Sequence, residues 1–324
     1  MKTLDAKLAR IKAGKYTPKD FIIADAKDGD MGFGATAPGP RRDGSGMKTK
    51  AEYLAAMTDM TKSGHVDIML MSASSAEALV AKKVFAKNKV TPAVRLNNTT
   101  DIWSQRGSNY KESFQQPFRT ARSKQVKRFA DLGLYSVTFS NNIDADRRTL
   151  EEYRIFRAEA SAAKMRHFLE VFNPAMDIGL KGASLGEYIN DCIVSCVAGM
   201  ASDEFPLFLK MQYNGAAAMT ELAAYDPSRL IVGILGGARG TTRDTFELAG
   251  QAERNGARVA LFGRKINYAE APLELVRLMR AVVERKTTGL DAVKAYHGYL
   301  AKHKLRPDRE LSVDCEITDP VLKG

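Results

Sequence analysis

The side chain with the clearest chemical potential in this sequence is a lysine inside an apolar run. Lys210 lies in FPLFLKMQYNG, residues 205–215, where a proline precedes the run and an Asn-Gly pair ends it. Such a short, bounded run predicts a parallel strand covered on both faces. Burial favours the neutral form of an amine, which can attack a carbonyl group to form a Schiff base. The run is equally compatible with an ion pair to Glu170 or Asp25, or with an amine that reaches the rim.

Glycine turns follow the next two apolar runs. ILGGARGTT places Gly236 and Gly237 after one run, and LFGRK places Gly263 and Arg264 after the other. Backbone N–H groups at such turns can face an anion, and the arginine adds positive charge. This pair of turns favours a phosphate site over two ordinary turns in which glycine supplies a positive φ angle.

These segments belong to a regular alternation of strands and helices. Predicted helices follow each of the predicted strands, which are residues 21–27, 65–74, 91–98, 134–142, 166–174, 207–211, 230–240 and 258–267. This α/β pattern predicts a parallel eight-stranded closed sheet, the (β/α)8 TIM barrel, with long loops after strands one and three. A doubly wound open sheet is the alternative, but GDMGFG after the first strand matches its glycine fingerprint poorly.

The composition does not change along the chain in a way that would mark a domain boundary. We therefore expect residues 1–324 to form one barrel domain. A short amphipathic helix within residues 1–20 is expected to cap the bottom of the barrel. After the last barrel helix, the chain is expected to add one more helix and an irregular tail.

Charge and cysteine content narrow the class of function. The net charge of +11 is spread along the chain without a basic run, which favours small anions such as sugar phosphates over nucleic acid. Three cysteines match no common zinc or redox spacing, and no apolar run is long enough to span a bilayer. We expect a cytoplasmic protein that acts on a small molecule without contacting membranes.

Polar side chains are concentrated where the predicted strands end. In a TIM barrel the active site forms at this end of the sheet. The polar residues expected there are Asp25, Arg95, Asn97, Ser140, Asn141, Glu170, Asn173, Lys210, Gln212 and Tyr213. Oxygen ligands among them permit an alternative, a metal-dependent lyase or epimerase that holds Mg²⁺ with Asp25, Asp28, Glu170 and Asn173.

From FLKMQYNG to LFGRKIN, the sequence resembles class I (Schiff-base) aldolases of the bacterial and archaeal type, which include fructose-bisphosphate, tagatose-bisphosphate and deoxyribose-phosphate aldolases. The resemblance implies that Lys210 forms the Schiff base and that Asp25 takes part in proton transfer. It assigns the phosphate to Gly236, Gly237, Gly263 and Arg264. The pattern differs at two strands. Glu170-x-Phe172 stands where relatives often have Trp-x-Tyr, and Thr138 and Ser140 stand where some have a lysine.

The resulting hypothesis is reversible carbon–carbon cleavage of a phosphorylated ketose, without metal or cofactor. Lys210 is the expected nucleophile, and Glu170, Asp25 or Tyr213 is expected to move protons. The expected binding residues, besides the glycine turns and Arg264, are Arg95, Asn97, Gln212 and Arg239. A homo-oligomer is expected. A sugar-phosphate-binding barrel without catalytic activity is the remaining alternative.

Overall fold

A closed barrel of parallel strands forms the centre of the fold in the computed structural model, which describes residues 1–323. Eight strands in this range form it: β1 (Ile22–Lys27), β2 (Ile68–Met71), β3 (Thr91–Arg95), β4 (Leu132–Thr138), β5 (Arg166–Phe172), β6 (Leu209–Met211), β7 (Gly233–Leu235) and β8 (Val259–Phe262). Each strand pairs with its neighbour in sequence, and β8 closes the ring against β1. The predicted TIM barrel is confirmed, and the open-sheet alternative is wrong.

An outer layer of helices surrounds the barrel. The helices that follow β1 to β8 in turn are Lys50–Ser63, Ala73–Ala81, Ser123–Val126, Ile143–Ala162, Ala183–Ala198, Ala216–Tyr225, Thr242–Arg254 and Pro272–Val283, with Gly289–Lys302 after them. Shorter helices are Asp30–Phe33, Arg264–Asn267 and Leu311–Asp314. Among residues 1–323, none of the helices combines the length and hydrophobicity required to span a membrane.

One predicted helix is much shorter than expected. The sequence pattern over residues 118–133 predicts a long helix, whereas the structure forms a single turn, Ser123–Val126. Pro117–Phe118 instead pairs with Asn98–Thr99 as an antiparallel ribbon, and Trp103 packs edge-on against Phe118 with ring centroids 4.1 Å apart. Tertiary packing therefore overrides local helix propensity in this segment.

The barrel interior is filled in its lower half by aliphatic and aromatic side chains. The interior cluster includes Ile22, Ala24, Ile68, Leu70, Phe168, Phe208 and Leu261. The N-terminal helix, Thr3–Lys12, packs Leu4, Leu8 and Ile11 against this cluster. Apolar residues thus close one end of the barrel, and the polar site lies at the other end.

The two long loops meet over the open end. They follow β1 and β3, as predicted. The Nε1–H of Trp103 donates to the carbonyl oxygen of Met31 at 2.8 Å, and the N–H of Ser104 donates to that of Gly32 at 2.8 Å. Direct hydrogen bonds therefore hold the loops together above the strand ends.

The C-terminal tail returns to the same end of the barrel. The N–H of Thr318 donates to Asp244 Oδ1 at 2.8 Å, at the start of the helix that follows β7. Asp308 accepts from Arg42 of the β1 loop at 2.8 Å and pairs with Arg239 of the β7 loop at 2.5 Å. The tail thus joins two loops at the rim.

His167 lies at the start of β5, far from the polar end. It is buried against the ring of Tyr153, whose hydroxyl lies 2.8 Å from Nε2. Burial lowers the pKa of His167 from 6.5 to about 4, and the nearby charge of Arg157 acts in the same direction. The folded protein therefore favours the neutral imidazole.

We expect His167→Gln to flatten the pH dependence of stability. A depressed histidine pKa stabilises the fold above pH 6.5, and this contribution, about 3 kcal/mol at most, is lost as the pH falls from 6.5 towards 4. The measurement is the free energy of unfolding in urea at pH 7 and pH 4. His303→Gln, at an exposed position, should keep the wild-type slope. An equal slope in His167→Gln would contradict the assignment.

Candidate active site

A cavity of about 500 Å³ opens at the end of the barrel where the strands finish. This volume suits a small organic ligand. Its polar and charged lining comes from several strand ends and loops and includes Asp28, Arg95, Asp101, Lys111, Glu170, Lys210, Gln212 and Arg264. Glycine backbone of Gly236, Gly237 and Gly263 completes the side formed by β7 and β8.

Lys210 and Glu170 lie side by side at the base of the cavity. They are register partners on β6 and β5, and Lys210 Nζ contacts Glu170 Oε1 directly. The side chains are only 6% and 1% exposed, so the amine does not reach the rim. A carboxylate in contact with an ammonium group can accept its proton and release a nucleophilic amine. The observed ion pair is therefore also compatible with a nucleophile–base pair.

Arg95 connects this pair to a second carboxylate. Its Nη2 donates to Glu170 Oε2 at 2.7 Å, and its Nε donates to Asp28 Oδ2 at 2.5 Å. Its Nη1 donates to the hydroxyl of Ser136 at 2.6 Å, and that hydroxyl donates to Glu170 Oε2 at 2.7 Å. Two cations and two carboxylates thus alternate along a buried row, which we call the ion-pair row: Asp28, Arg95, Glu170 and Lys210.

The ion-pair row keeps its outer carboxylate charged. Burial opposes ionisation of Asp28, but the positive charges of Arg95 and Lys210 outweigh burial and lower its pKa. Burial likewise opposes the charge of Arg95, and Glu170 and Asp28 outweigh burial and raise the pKa of the guanidinium. Mutual neutralisation is what makes four charged side chains tolerable in one buried place.

The predicted position of Asp25 is corrected. Side chains alternate along β1, and Ala24 packs inside the barrel while Ile23 packs outside, so Asp25 faces the helices. Its Oδ1 accepts from Lys27 Nζ at 2.7 Å, and burial raises its pKa despite that lysine. Asp28, which the sequence offered only as a metal ligand, is the β1-side carboxylate in the cavity.

Three other residues predicted to act in catalysis or substrate binding also lie outside the cavity lining. The hydroxyl of Tyr213 accepts from Asn255 at 3.0 Å, on the helix side of β6. Asn97 bridges β3 and β4 by exchanging two hydrogen bonds with the backbone of Ser136. Arg239 pairs with Asp308 and Glu270 at the rim. Each of these side chains is engaged by the surrounding protein.

The predicted turns of β7 and β8 do line the cavity. Gly237 has a φ angle of +64°, which side chains other than glycine rarely adopt. A Cβ atom at Gly263 would lie 2.9 Å from the carbonyl oxygen of Ala26, so only glycine fits against β1. Within residues 1–323, no hydrogen bond or ion pair uses the guanidinium of Arg264, which lies 5.4 Å from the ring centroid of Phe33. This arrangement leaves a positive charge available to an anion.

The residues proposed as magnesium ligands are not brought together. Asp25 faces outward, and Arg95 lies between Asp28 and Glu170. The side-chain amide of Asn173 donates to Asn214 at 2.7 Å. In the described part of the chain, no group of three or more His, Cys, Asp or Glu side chains is arranged to hold a metal ion.

The fold has clear relatives among solved structures. An archaeal fructose-1,6-bisphosphate aldolase, with its catalytic Lys covalently bound to the carbinolamine intermediate of the substrate, aligns with a TM-score of 0.63 and 15% identity, covering 87% of this chain and 99% of that chain. A fructose-bisphosphate aldolase from Slackia heliotrinireducens aligns with a TM-score of 0.60 and 14% identity, covering 92% of this chain and 90% of that chain. A Corynebacterium glutamicum protein aligns with a TM-score of 0.56 and 18% identity, covering 88% of this chain and 98% of that chain.

No protein-family model and no curated protein sequence matches the chain. The structural relatives share the barrel with this protein, at identities too low to carry more than the fold. The assignment of chemistry therefore depends on the contents of the cavity.

Sequence reasoning missed several polar residues that the structure places at the site. They include Ser136, Asp101 and Lys111. Ser136 lies two residues before Thr138 on β4, so the alternation of that strand could have indicated it once one inward residue was known. Asp101 and Lys111 lie on the long loop after β3, where no periodic pattern indicates which side chains turn inward.

Proposed function

We propose that the protein is a class I aldolase that reversibly cleaves a carbon–carbon bond of a phosphorylated ketose. The observation that carries the proposal is the buried contact between Lys210 and Glu170 at the base of the cavity. Two further observations support it: the sequence resemblance around Lys210, and a fold shared with aldolases, one of which has its catalytic Lys covalently bound to the carbinolamine intermediate.

In the proposed reaction, Glu170 takes a proton from Lys210, and the neutral amine adds to the ketone carbon of the substrate. Loss of water gives an iminium ion, which accepts the electron pair when the bond between the α and β carbons breaks and so becomes an enamine. A base removes the proton of the hydroxyl group on the departing carbon, and the aldehyde leaves. Protonation of the enamine and hydrolysis then release the second product and restore Lys210.

Proton transfer, phosphate binding and hydroxyl binding are the remaining tasks, and each is assigned to residues of the cavity. Asp28 and Glu170 are the carboxylates of the ion-pair row, and we assign proton transfer to Glu170 because it contacts the nucleophile. The substrate phosphate is assigned to the turns of Gly236–Gly237 and Gly263 and to Arg264, which makes no ion pair with the described residues. Gln212 lines the cavity above Lys210 and is assigned to a sugar hydroxyl.

Borohydride reduction in the presence of substrate tests this proposal. A panel of phosphorylated ketoses is incubated with the protein and sodium borohydride, and peptide mass spectrometry locates the adduct. We expect irreversible inactivation and the reduced substrate on Lys210 only. Activity that is lost in EDTA but survives Lys210→Ala would instead favour metal-dependent chemistry. Thermal stabilisation by ligand without an adduct or turnover would favour a binding barrel.

Arg264→Leu is expected to weaken phosphate binding selectively. Loss of a charge-assisted hydrogen bond should raise KM for the phosphorylated ketose by about 10- to 100-fold, with a much smaller change in kcat. Steady-state kinetics measure both constants. Arg154→Leu, which changes an arginine that is 62% exposed, should leave KM unchanged. An equal rise in KM for the unphosphorylated sugar would contradict the assignment.

A further inference from the structure

One carboxyl group in the cavity has an oxygen atom without a partner. Asp101 lies in the turn Thr100–Ile102, shortly after β3, and is only 4% exposed. Its Oδ2 accepts a hydrogen bond from the hydroxyl of Thr138 at 2.8 Å. Its Oδ1 is buried and has no hydrogen-bond partner among the described residues. A buried carboxyl oxygen without a hydrogen bond costs free energy, so this atom is a candidate to accept a hydrogen bond from a bound ligand.

Asp101 differs in its surroundings from the other two carboxyl groups of the cavity. Asp28 and Glu170 are both neutralised by cations of the ion-pair row. Asp101 forms no ion pair with residues 1–323, and burial raises its pKa. A buried carboxyl group without a cation suits a neutral hydroxyl group, and it disfavours a second phosphate at the same point.

The position of Asp101 complements the rest of the proposed site. Its partner Thr138 is two residues, about 7 Å, further along β4 than Ser136, which bonds Glu170, so Asp101 lies nearer the mouth than Glu170. In the closed ring, β4 stands opposite β8, whose end carries the proposed phosphate site. A substrate that reaches from this phosphate site past Lys210 directs its far carbons towards β4 and Asp101.

We propose that Asp101 is a specificity-determining residue that binds a hydroxyl group on the aldehyde half of the substrate. This inference rests on the proposed aldolase function and sharpens it. The preferred substrate carries its phosphate on the ketone half and a hydroxyl group beyond the bond that is cleaved. Thr138 positions the carboxyl group by holding Oδ2, which leaves Oδ1 for the substrate.

The test measures binding, so that it is independent of turnover. A hexitol 1-phosphate and its single-deoxy analogues on carbons 4 to 6 are titrated by calorimetry into wild type, Asp101→Leu and Asp101→Asn. In wild type, removal of one of these hydroxyl groups should weaken binding by about tenfold or more. Asp101→Leu should bind the parent about as weakly as that analogue, with no difference between the two. Asp101→Asn keeps a hydrogen-bonding group of similar size. Its ratio of affinities for the parent and for that analogue should be at least about threefold smaller than in wild type.

Two results would overturn the inference. One is wild-type protein that binds the parent and every deoxy analogue equally, which needs no variant and therefore decides the question even if Asp101→Leu does not fold. The other is a variant whose affinity for all the ligands falls by one common factor, as expected of a purely structural residue. Borohydride trapping on Lys210, measured in wild type alongside, reports separately on the aldolase proposal.

Discussion

Lys210→Met is expected to lower kcat for cleavage by at least about 10⁴-fold, because the reaction loses its nucleophile and its electron sink. The borohydride adduct should disappear at the same time. The fold should survive, since Glu170 keeps its hydrogen bonds to Arg95 and Ser136 after the amine is removed. Single-turnover kinetics, adduct mass spectrometry and urea unfolding together separate loss of chemistry from loss of structure.

Lys302→Met is the control for this experiment. Lys302 is exposed at the end of Gly289–Lys302, far along the chain from the cavity loops. It should retain wild-type turnover and the adduct on Lys210. Turnover by Lys210→Met within about tenfold of wild type would exclude Lys210 as the nucleophile.

Among the variants described here, Arg95→Met is expected to lower the free energy of unfolding most. The guanidinium satisfies Asp28, Ser136 and Glu170 at once, and its removal leaves buried carboxylates short of a cation. Breaking a buried ion pair in this way costs about 3–5 kcal/mol of unfolding free energy at neutral pH. Turnover should also fall, because Glu170 would no longer be held against Lys210.

The pH dependence of the unfolding free energy of Arg95→Met tests whether unpaired carboxylates cause its loss of stability. In wild type, the lowered pKa of Asp28 contributes stability above its unfolded pKa of 3.8, and this contribution is lost as the pH falls through the folded value. Without Arg95 this contribution is absent, so the gap between variant and wild type should narrow as the pH falls. Urea unfolding at pH 7 and at pH 3, below the unfolded pKa of 3.8, measures the gap.

Arg254→Met is the matched control for Arg95→Met. Arg254 pairs with Glu247 on the surface and is 54% exposed, so its loss should cost less than about 1 kcal/mol. A similar cost for the two variants would show that the ion-pair row does not stabilise the fold. A gap that stays constant between pH 7 and pH 3 would show that unpaired carboxylates are not the cause.

Local patterns determined the architecture and one end of the site. Apolar runs bounded by turn residues identified the eight strands, because a strand buried on both faces must be apolar along its length. The glycine turns at Gly236–Gly237 and Gly263 were also visible, since a positive φ angle or a close backbone contact excludes other residues. Lys210 stood out because a charge interrupts such a run.

Only the tertiary structure decided which polar side chains meet in the cavity. The apolar composition that identifies a parallel strand hides the alternation of its two faces. For this reason the sequence assigns Asp25 and Tyr213 to the cavity, although both face the helices outside the barrel. It also does not assign proton transfer to Asp28. The loop after β3 carries no periodicity, so nothing in the sequence placed Asp101 beside Thr138. The order of the ion-pair row arises from contacts between residues distant in sequence, which closure of the barrel alone brings together.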